Sequence, residues 1–296
     1  RDFKKYNVDL VVGGPPCQGF SGIGLRRSYS VEKNQLPSNQ LFQDMAYFIH
    51  KVRPKIFLFE NVEGLLRGRW SKNGKKGEIF KEVFNTFKDI SGYIVKYKLV
   101  RASQYGVPQN RPRLLIVGIN KNVKKNPPKA LDAVEAGFLP EPSNGYPDLI
   151  DVLGDIIDPM FKYGESTSRY PFPRDKKSDI QKYFRTKKDG TIAGKGNSLT
   201  EHEYSNHRLE TREKFQAMIK NGGIIPEKYK TKKFAQRVLP KVWTNGGPNI
   251  TTCSLADDFV HFSQARSLTV REWARIQTFP DWYQFAGNRT TGGIRR

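Results

Sequence analysis

A largely apolar run, Val8 to Val12, breaks off at Gly13-Gly14-Pro15-Pro16, and Cys17 follows directly. A short apolar run bounded by turn residues reads as a buried strand. Glycines permit close backbone approach and prolines stiffen the turn. In open α/β sheets the loop beyond a strand's carboxyl end faces the ligand. The pattern therefore holds a thiol on a rigid corner. Taken alone it also admits a buried structural cysteine, because free Cys is often core.

The following segments decide between the two. Leu41, Phe42, Met45, Phe48, Ile49 and Val52 recur with helical period, and Arg53-Pro54 ends that helix. Lys55-Ile56-Phe57-Leu58-Phe59 is a continuous apolar run that suits a buried parallel strand, with Glu60 and Asn61 at its carboxyl end. Strand, helix, strand makes a βαβ unit, which puts Cys17 and Glu60 on one rim of a sheet. A carboxylate at a strand tip also serves as a helix cap. One facing a thiol across a rim suits chemistry.

A basic, Gly-rich loop runs from Arg67 to Lys76. Ile79, Phe80, Val83, Phe84 and Phe87 mark a second amphipathic helix, and Tyr93, Val95, Tyr97 and Leu99 alternate like a strand with one exposed face. Gly106-Val107-Pro108-Gln109-Asn110-Arg111-Pro112-Arg113 then leads into a strand from Leu114 to Ile119. Arg111 and Arg113 are two apart in an extended segment, so they point the same way. Two adjacent guanidiniums call for an anion between them: a carboxylate such as Glu60, a phosphate, or both.

Charge patterning changes after Asn120. Residues 126–161 hold one basic and seven acidic side chains, whereas residues 162–241 hold twenty basic and nine acidic ones. Short runs rich in Lys, Gly, Pro and Asn predict an irregular second domain with a basic, nucleic-acid-facing surface; a merely solvated lysine face is the alternative. The whole chain of 296 residues carries 51 Lys+Arg against 29 Asp+Glu, a net charge of +22, which points to a polyanionic partner and no membrane. Cys17 and Cys253 are too few for a disulfide scaffold and indicate a reducing compartment. His202 and His207 are five apart, not the four a zinc-binding helix face needs, so no metal is expected. Near the end, Thr269 with Glu272 fits a capping box for a helix through Ile276.

Together these motifs resemble the cytosine-5 DNA methyltransferase family of bacterial restriction–modification systems. The nucleophile motif stands as Pro15-Pro16-Cys17-Gln18-Gly19-Phe20-Ser21, the Glu-Asn-Val motif as Glu60-Asn61-Val62, and Gln-x-Arg-x-Arg as Gln109-Asn110-Arg111-Pro112-Arg113. The ninth motif runs from Arg266-Ser267-Leu268-Thr269-Val270-Arg271-Glu272 to Phe279-Pro280-Asp281. The resemblance implies an α/β fold: a Rossmann-like, S-adenosylmethionine-dependent catalytic domain over 1–120, a target recognition domain over 121–265, and a returning helix with the start of the closing catalytic segment over 266–296. The family's opening Phe-x-Gly-x-Gly and closing Gly-Asn-x-Val motifs are absent from this sequence. The rest of the cofactor pocket is therefore expected from further segments or a second chain.

The resemblance also implies roles. Cys17 is the nucleophile that adds to cytosine C6, Glu60 and Arg113 bind the base and stabilise the charge it develops, and Arg111 holds Glu60 and a backbone phosphate. Pro16 and Leu41 line the S-adenosylmethionine site. Gln18, Ser21 and Arg111 contact double-stranded DNA from which the target base has been flipped. A bacterial cytoplasmic, nucleoid-associated location follows. Two alternatives remain open at this level: a recognition fragment inactive without a partner that carries the missing motifs, and an RNA cytosine-5 methyltransferase, against which the long insert argues.

Overall fold

The computed structural model describes residues 7–16, 37–71, 73–123, 141–143, 145–230, 236–244, 247–250 and 259–286. Cys17, Gln18 and Ser21 lie outside the described residues. The chain divides into two compact units: Arg1–Arg101 with Pro112–Pro142, and Ala102–Arg111 with Ser143–Arg296. The units do not follow the bounds 1–120, 121–265 and 266–296 that the resemblance implies. Residues 121–142 group with the first unit, whereas 102–111 and the returning helix group with the second.

The first unit is built on a four-stranded mixed sheet. Strands β1 (Leu10–Gly13), β2 (Ile56–Val62), β3 (Tyr93–Arg101) and β4 (Pro112–Asn120) lie in the order β1-β2-β4-β3. β1 and β2 are parallel, and β4 is antiparallel to both β2 and β3. Helices α1 (Leu41–Val52) and α2 (Glu78–Lys88) cover one face. Their inward residues Phe42, Ala46, Ile49, Ile79, Val83 and Phe87 pack on Phe57 and Phe59 of β2 and on Leu114 and Ile116 of β4. The intervening positions Leu58, Ile94, Val117 and Ile119 cluster on the opposite face, as the two-residue period of a strand requires. Arg53 ends α1 in a left-handed conformation (φ 55°) and its backbone N–H donates to Ile49 O.

Two expectations need correction. β1 is not a buried strand: Leu10 and Val12 are 53% and 60% exposed. Among the described strands β1 pairs only with β2, so it forms an edge. Within the otherwise buried-looking run of β2, Ile56 is also exposed. An apolar run signals strand propensity, and the neighbours that would bury it are settled by topology.

The second unit contains short elements only: α3 (Leu149–Leu153), α4 (Asp179–Arg185), α5 (Leu209–Lys220), a two-stranded parallel pair β5 (Arg237–Val238) and β6 (Phe259–Val260), and α6 (Val270–Ile276). Its core gathers Leu149, Leu153, Phe184, Phe259, Trp273 and Ile276. With so little regular structure, backbone carbonyls need other partners. Four fully buried arginines, Arg185, Arg266, Arg271 and Arg275, supply many of them. Arg185 donates to Asp155 Oδ2 (2.6 Å) and to Phe172 O (2.9 Å). Arg275 bridges Asp155 and Asp281 and also donates to Val152 O (2.8 Å).

The capping box forms as expected. Thr269 Oγ1 accepts from Glu272 N (3.2 Å), and Thr269 N donates to Glu272 Oε2 (2.8 Å). The same carboxylate takes both terminal nitrogens of Arg266 at 2.8 and 2.7 Å. Burial alone would raise the Glu272 pKa, but the Arg266 guanidinium outweighs it and holds the carboxyl well below the usual range.

Candidate active site

The parallel register of β1 and β2 pairs Gly13 with Phe59. The turn Gly14-Pro15-Pro16 therefore leaves β1 beside the last residues of β2, Glu60-Asn61-Val62, which stay paired with β4. The Asn61 side chain fixes that relation: Nδ2 donates to Pro15 O (3.0 Å) while Oδ1 accepts from Val62 N (2.8 Å). Asn61 is buried. The backbone that leads into Cys17 is thus tied, two residues earlier, to the strand that bears Glu60. At Gly14 a β-carbon would stand 3.2 Å from Glu60 Oε2 and 3.6 Å from Glu60 O. Glycine lets the turn lie directly against this carboxylate.

Arg113 completes the group in the first unit. In the antiparallel β2–β4 register Glu60 faces Leu115 and Val62 faces Arg113. Glu60 and Arg113 are thus diagonal neighbours on one face, the face opposite α1 and α2. Arg113 Nε meets Glu60 Oε1 at 2.5 Å, and Nη1 donates to its own neighbour, Pro112 O, at 2.7 Å. The Glu60 side chain keeps 40% of its exposure and that of Arg113 21%. The pair is fixed yet reachable from solvent. It can present a carboxyl and a guanidinium side by side to one planar, polar ligand.

The remaining expected residues divide. Arg111 precedes β4 and groups with the second unit, where its carbonyl accepts from Ala102 N (3.1 Å); β4 itself starts at Pro112, so the extended Arg111–Arg113 pair spans a unit boundary. Its neighbour Asn110 donates its N–H to Ile250 O (2.7 Å), and Gln109 is buried. Leu41 opens α1 and is 37% exposed, whereas the helical period places it on the inner face. Pro16 is exposed. Next to Leu41, Gln40 Oε1 is buried and accepts no hydrogen bond among the described residues.

Asn61 stands within a quoted motif but not among the expected site residues. Its signal is its place one residue past Glu60 at a strand tip. His202 and His207 both hydrogen-bond within the second unit. His202 bridges Thr269 Oγ1 (2.8 Å) and Ile156 O (2.9 Å), and burial lowers its pKa to about 4. His207 Nε2 meets Ser267 Oγ at 3.1 Å. Among the described residues no helix is long and apolar enough to cross a membrane.

A family model described as C-5 cytosine-specific DNA methylase matches residues 1–295. The chain is 29% identical over 310 residues to the type II methyltransferase M.XorII of Xanthomonas oryzae pv. oryzae, an alignment covering 97% of this chain and 64% of that protein. It is 29% identical over 308 residues to M.DdeI of Desulfomicrobium norvegicum, with 96% and 66% covered. Against M.BsuRI of Bacillus subtilis it is 30% identical over 288 residues, with 96% and 51% covered. The chain thus spans less than two thirds of the length of these relatives. Among solved structures, an E. coli prophage-encoded protein assigned as a DNA modification methyltransferase superposes with a TM-score of 0.62 at 23% identity, over 95% of this chain and 71% of that one. At that identity the likeness is one of fold.

Proposed function

Because the chain belongs to the C-5 cytosine-specific DNA methylase family, we propose that it methylates C5 of a cytosine turned out of double-stranded DNA, as the modification enzyme of a bacterial restriction–modification system working in the cytoplasm. The observation that carries the proposal is the Glu60–Arg113 pair (2.5 Å) on the rim to which Asn61 ties Pro15, two residues before Cys17.

The chemistry follows from the residue types. C5 of cytosine is a weak nucleophile. The Cys17 thiolate adds to C6, forming an S–C6 bond and moving the C5=C6 electrons toward C5 and, through the ring, onto O2 and N3. Glu60 as the acid hydrogen-bonds N3, and Arg113 donates to O2. Arg111 holds Glu60 and a backbone phosphate, with Gln18 and Ser21 as further DNA contacts. S-adenosylmethionine, when bound, supplies a sulfonium methyl that the electron-rich C5 accepts, the C–S electron pair staying on sulfur. The exposed Leu41 and Pro16 and the unfilled acceptor Gln40 Oε1 suit such a ligand's apolar and N–H-bearing parts. Loss of the C5 proton to a base then re-forms C5=C6 and expels Cys17 as thiolate. Turning the base out costs a few kcal/mol. The second unit, with its basic 162–241 stretch, supplies target recognition.

The test is a denaturant-resistant adduct. The full-length protein, incubated with S-adenosylmethionine and duplex DNA containing 5-fluorocytosine, is expected to form a covalent complex that Cys17→Ser abolishes, because fluorine cannot leave as a cation. Absence of any Cys17-dependent adduct would overturn the proposal.

A further inference from the structure

The first unit carries a second cluster of charge that the chemistry above does not use. The segment after β2 makes a 3₁₀ turn, Glu63–Arg67, and then a closed loop. Gly77 N donates to Gly68 O (3.1 Å), joining the two ends, and Gly77 enters α2 at φ 85°. The loop is braced from inside by two acids. Glu78 accepts from the backbone N–H of Trp70 (2.6 Å) and of Lys75 (2.9 Å), while Glu82 accepts from Trp70 Nε1 (2.8 Å). Glu63, at the start of the 3₁₀ turn, pairs with Arg101 at 3.6 Å. With these carboxylates engaged, Arg67, Arg69, Lys75 and Lys76 stand exposed, and among the described residues none of the four side chains has an ionic partner.

Four like charges on the described residues of one short closed loop repel each other unless an anion meets them. The backbone at Gly68, Trp70, Lys75 and Gly77 is tied down, so less backbone freedom is left to lose there on binding. The loop also starts near the site. Arg67 follows Glu60 by seven residues, five of them in the 3₁₀ turn, which puts its Cα within about 17 Å of Glu60. That is about five steps of 3.4 Å along a duplex. We propose that the loop 67–77 is a phosphate clamp: it grips the DNA backbone flanking the target base, independently of sequence and from the catalytic unit rather than the recognition unit. The clamp rests on the DNA-methylating function proposed above.

Salt titration tests it. Binding of full-length protein to a fluorescently labelled duplex of mixed sequence is followed by anisotropy at increasing salt. Removing one cation that neutralises a phosphate makes the log–log slope shallower by about 0.9. The R67A/R69A/K75A/K76A variant is expected to lose two to four such steps while melting at the wild-type temperature, and the charge-conserving R67K/R69K/K75R/K76R variant is expected to keep the wild-type slope. Should the quadruple alanine variant not fold, R67A/R69A and K75A/K76A separately read the same quantity. A folded alanine variant with the wild-type slope would overturn the clamp and leave the enzyme proposal standing. A wild-type protein with no salt-dependent DNA binding would overturn both.

Discussion

Arg275→Met removes the charge at the centre of the second unit while roughly keeping side-chain volume. The guanidinium is fully buried, and all three of its nitrogens are used: Nε to Asp281 Oδ1 (2.9 Å), Nη1 to Asp155 Oδ1 (2.5 Å) and Val152 O (2.8 Å), Nη2 to Asp281 Oδ2 (2.6 Å). Removing one member of a buried ion pair costs about 3–5 kcal/mol, mostly as the penalty of the charge left behind. Asp155 retains Arg185 at 2.6 Å, so its loss is the smaller one. Asp281 keeps the Tyr170 hydroxyl at 2.7 Å and the more distant Arg271 at 3.9 Å, and bears the larger loss. A value of about 4 kcal/mol follows, a large part of the roughly 5–15 kcal/mol by which a domain is stable. Urea unfolding followed by tryptophan fluorescence reads the right unit, because Trp243, Trp273 and Trp282 lie in it and only Trp70 lies in the first. R275M/D281N, which neutralises the stranded carboxylate, is expected to recover part of the loss. An R275M protein within about 1 kcal/mol of wild type, or a double variant less stable than R275M, would refute the view that these charges are held by each other.

Arg113→Ala is expected to lower kcat by about 10²–10³-fold, the usual consequence of removing one donor from a developing oxyanion, with little change in DNA affinity; single-turnover methylation and a binding titration separate the two. Asn61→Ala frees Pro15 and leaves the part-buried partners Pro15 O and Val62 N–H unpaired, so it should lower the melting temperature and lower kcat of the folded fraction by at least about tenfold through misplacement of the nucleophile; an unchanged kcat would show that the Pro15 tether does not position Cys17. The pH response comes from His202 and His261, whose pKa values burial depresses from 6.5 to about 4 and about 3. Unfolded histidines take up protons below pH 6.5 while these stay neutral, so stability present above pH 6.5 is lost as pH falls toward 4, by about 3 kcal/mol for His202 alone. Melting temperature measured from pH 7.5 to 4.5 should fall accordingly, and a flat profile would contradict it.

Much of the first unit is legible in the sequence because its signals are periodic. The apolar faces of 41–52 and 79–87 became α1 and α2, and the strand-tip carboxylate emerged on the rim with Arg113. The exposure of Leu10 and Val12 is not legible, since an apolar strand at an edge has the same residue pattern as one in the middle. The second unit escapes sequence reading for a different reason. Its acidic stretch 126–161 and basic stretch 162–241 look like separate surfaces, yet Asp155 from the first binds Arg185 from the second, and both are buried. A charge count has no access to partners. The Thr269–Glu272 capping box is readable because it is local; that Glu272 also anchors Arg266 depends on the packing around both.

The detour Ala102–Arg111 belongs to one unit although β3 and β4 on either side of it belong to the other. If the second unit reads the target, as proposed, a new specificity cannot be grafted by exchanging a single contiguous cassette beginning at Ser143. The short outlying piece, which includes Asn110 and its bond to Ile250, would have to travel with it or be redesigned to fit the newcomer.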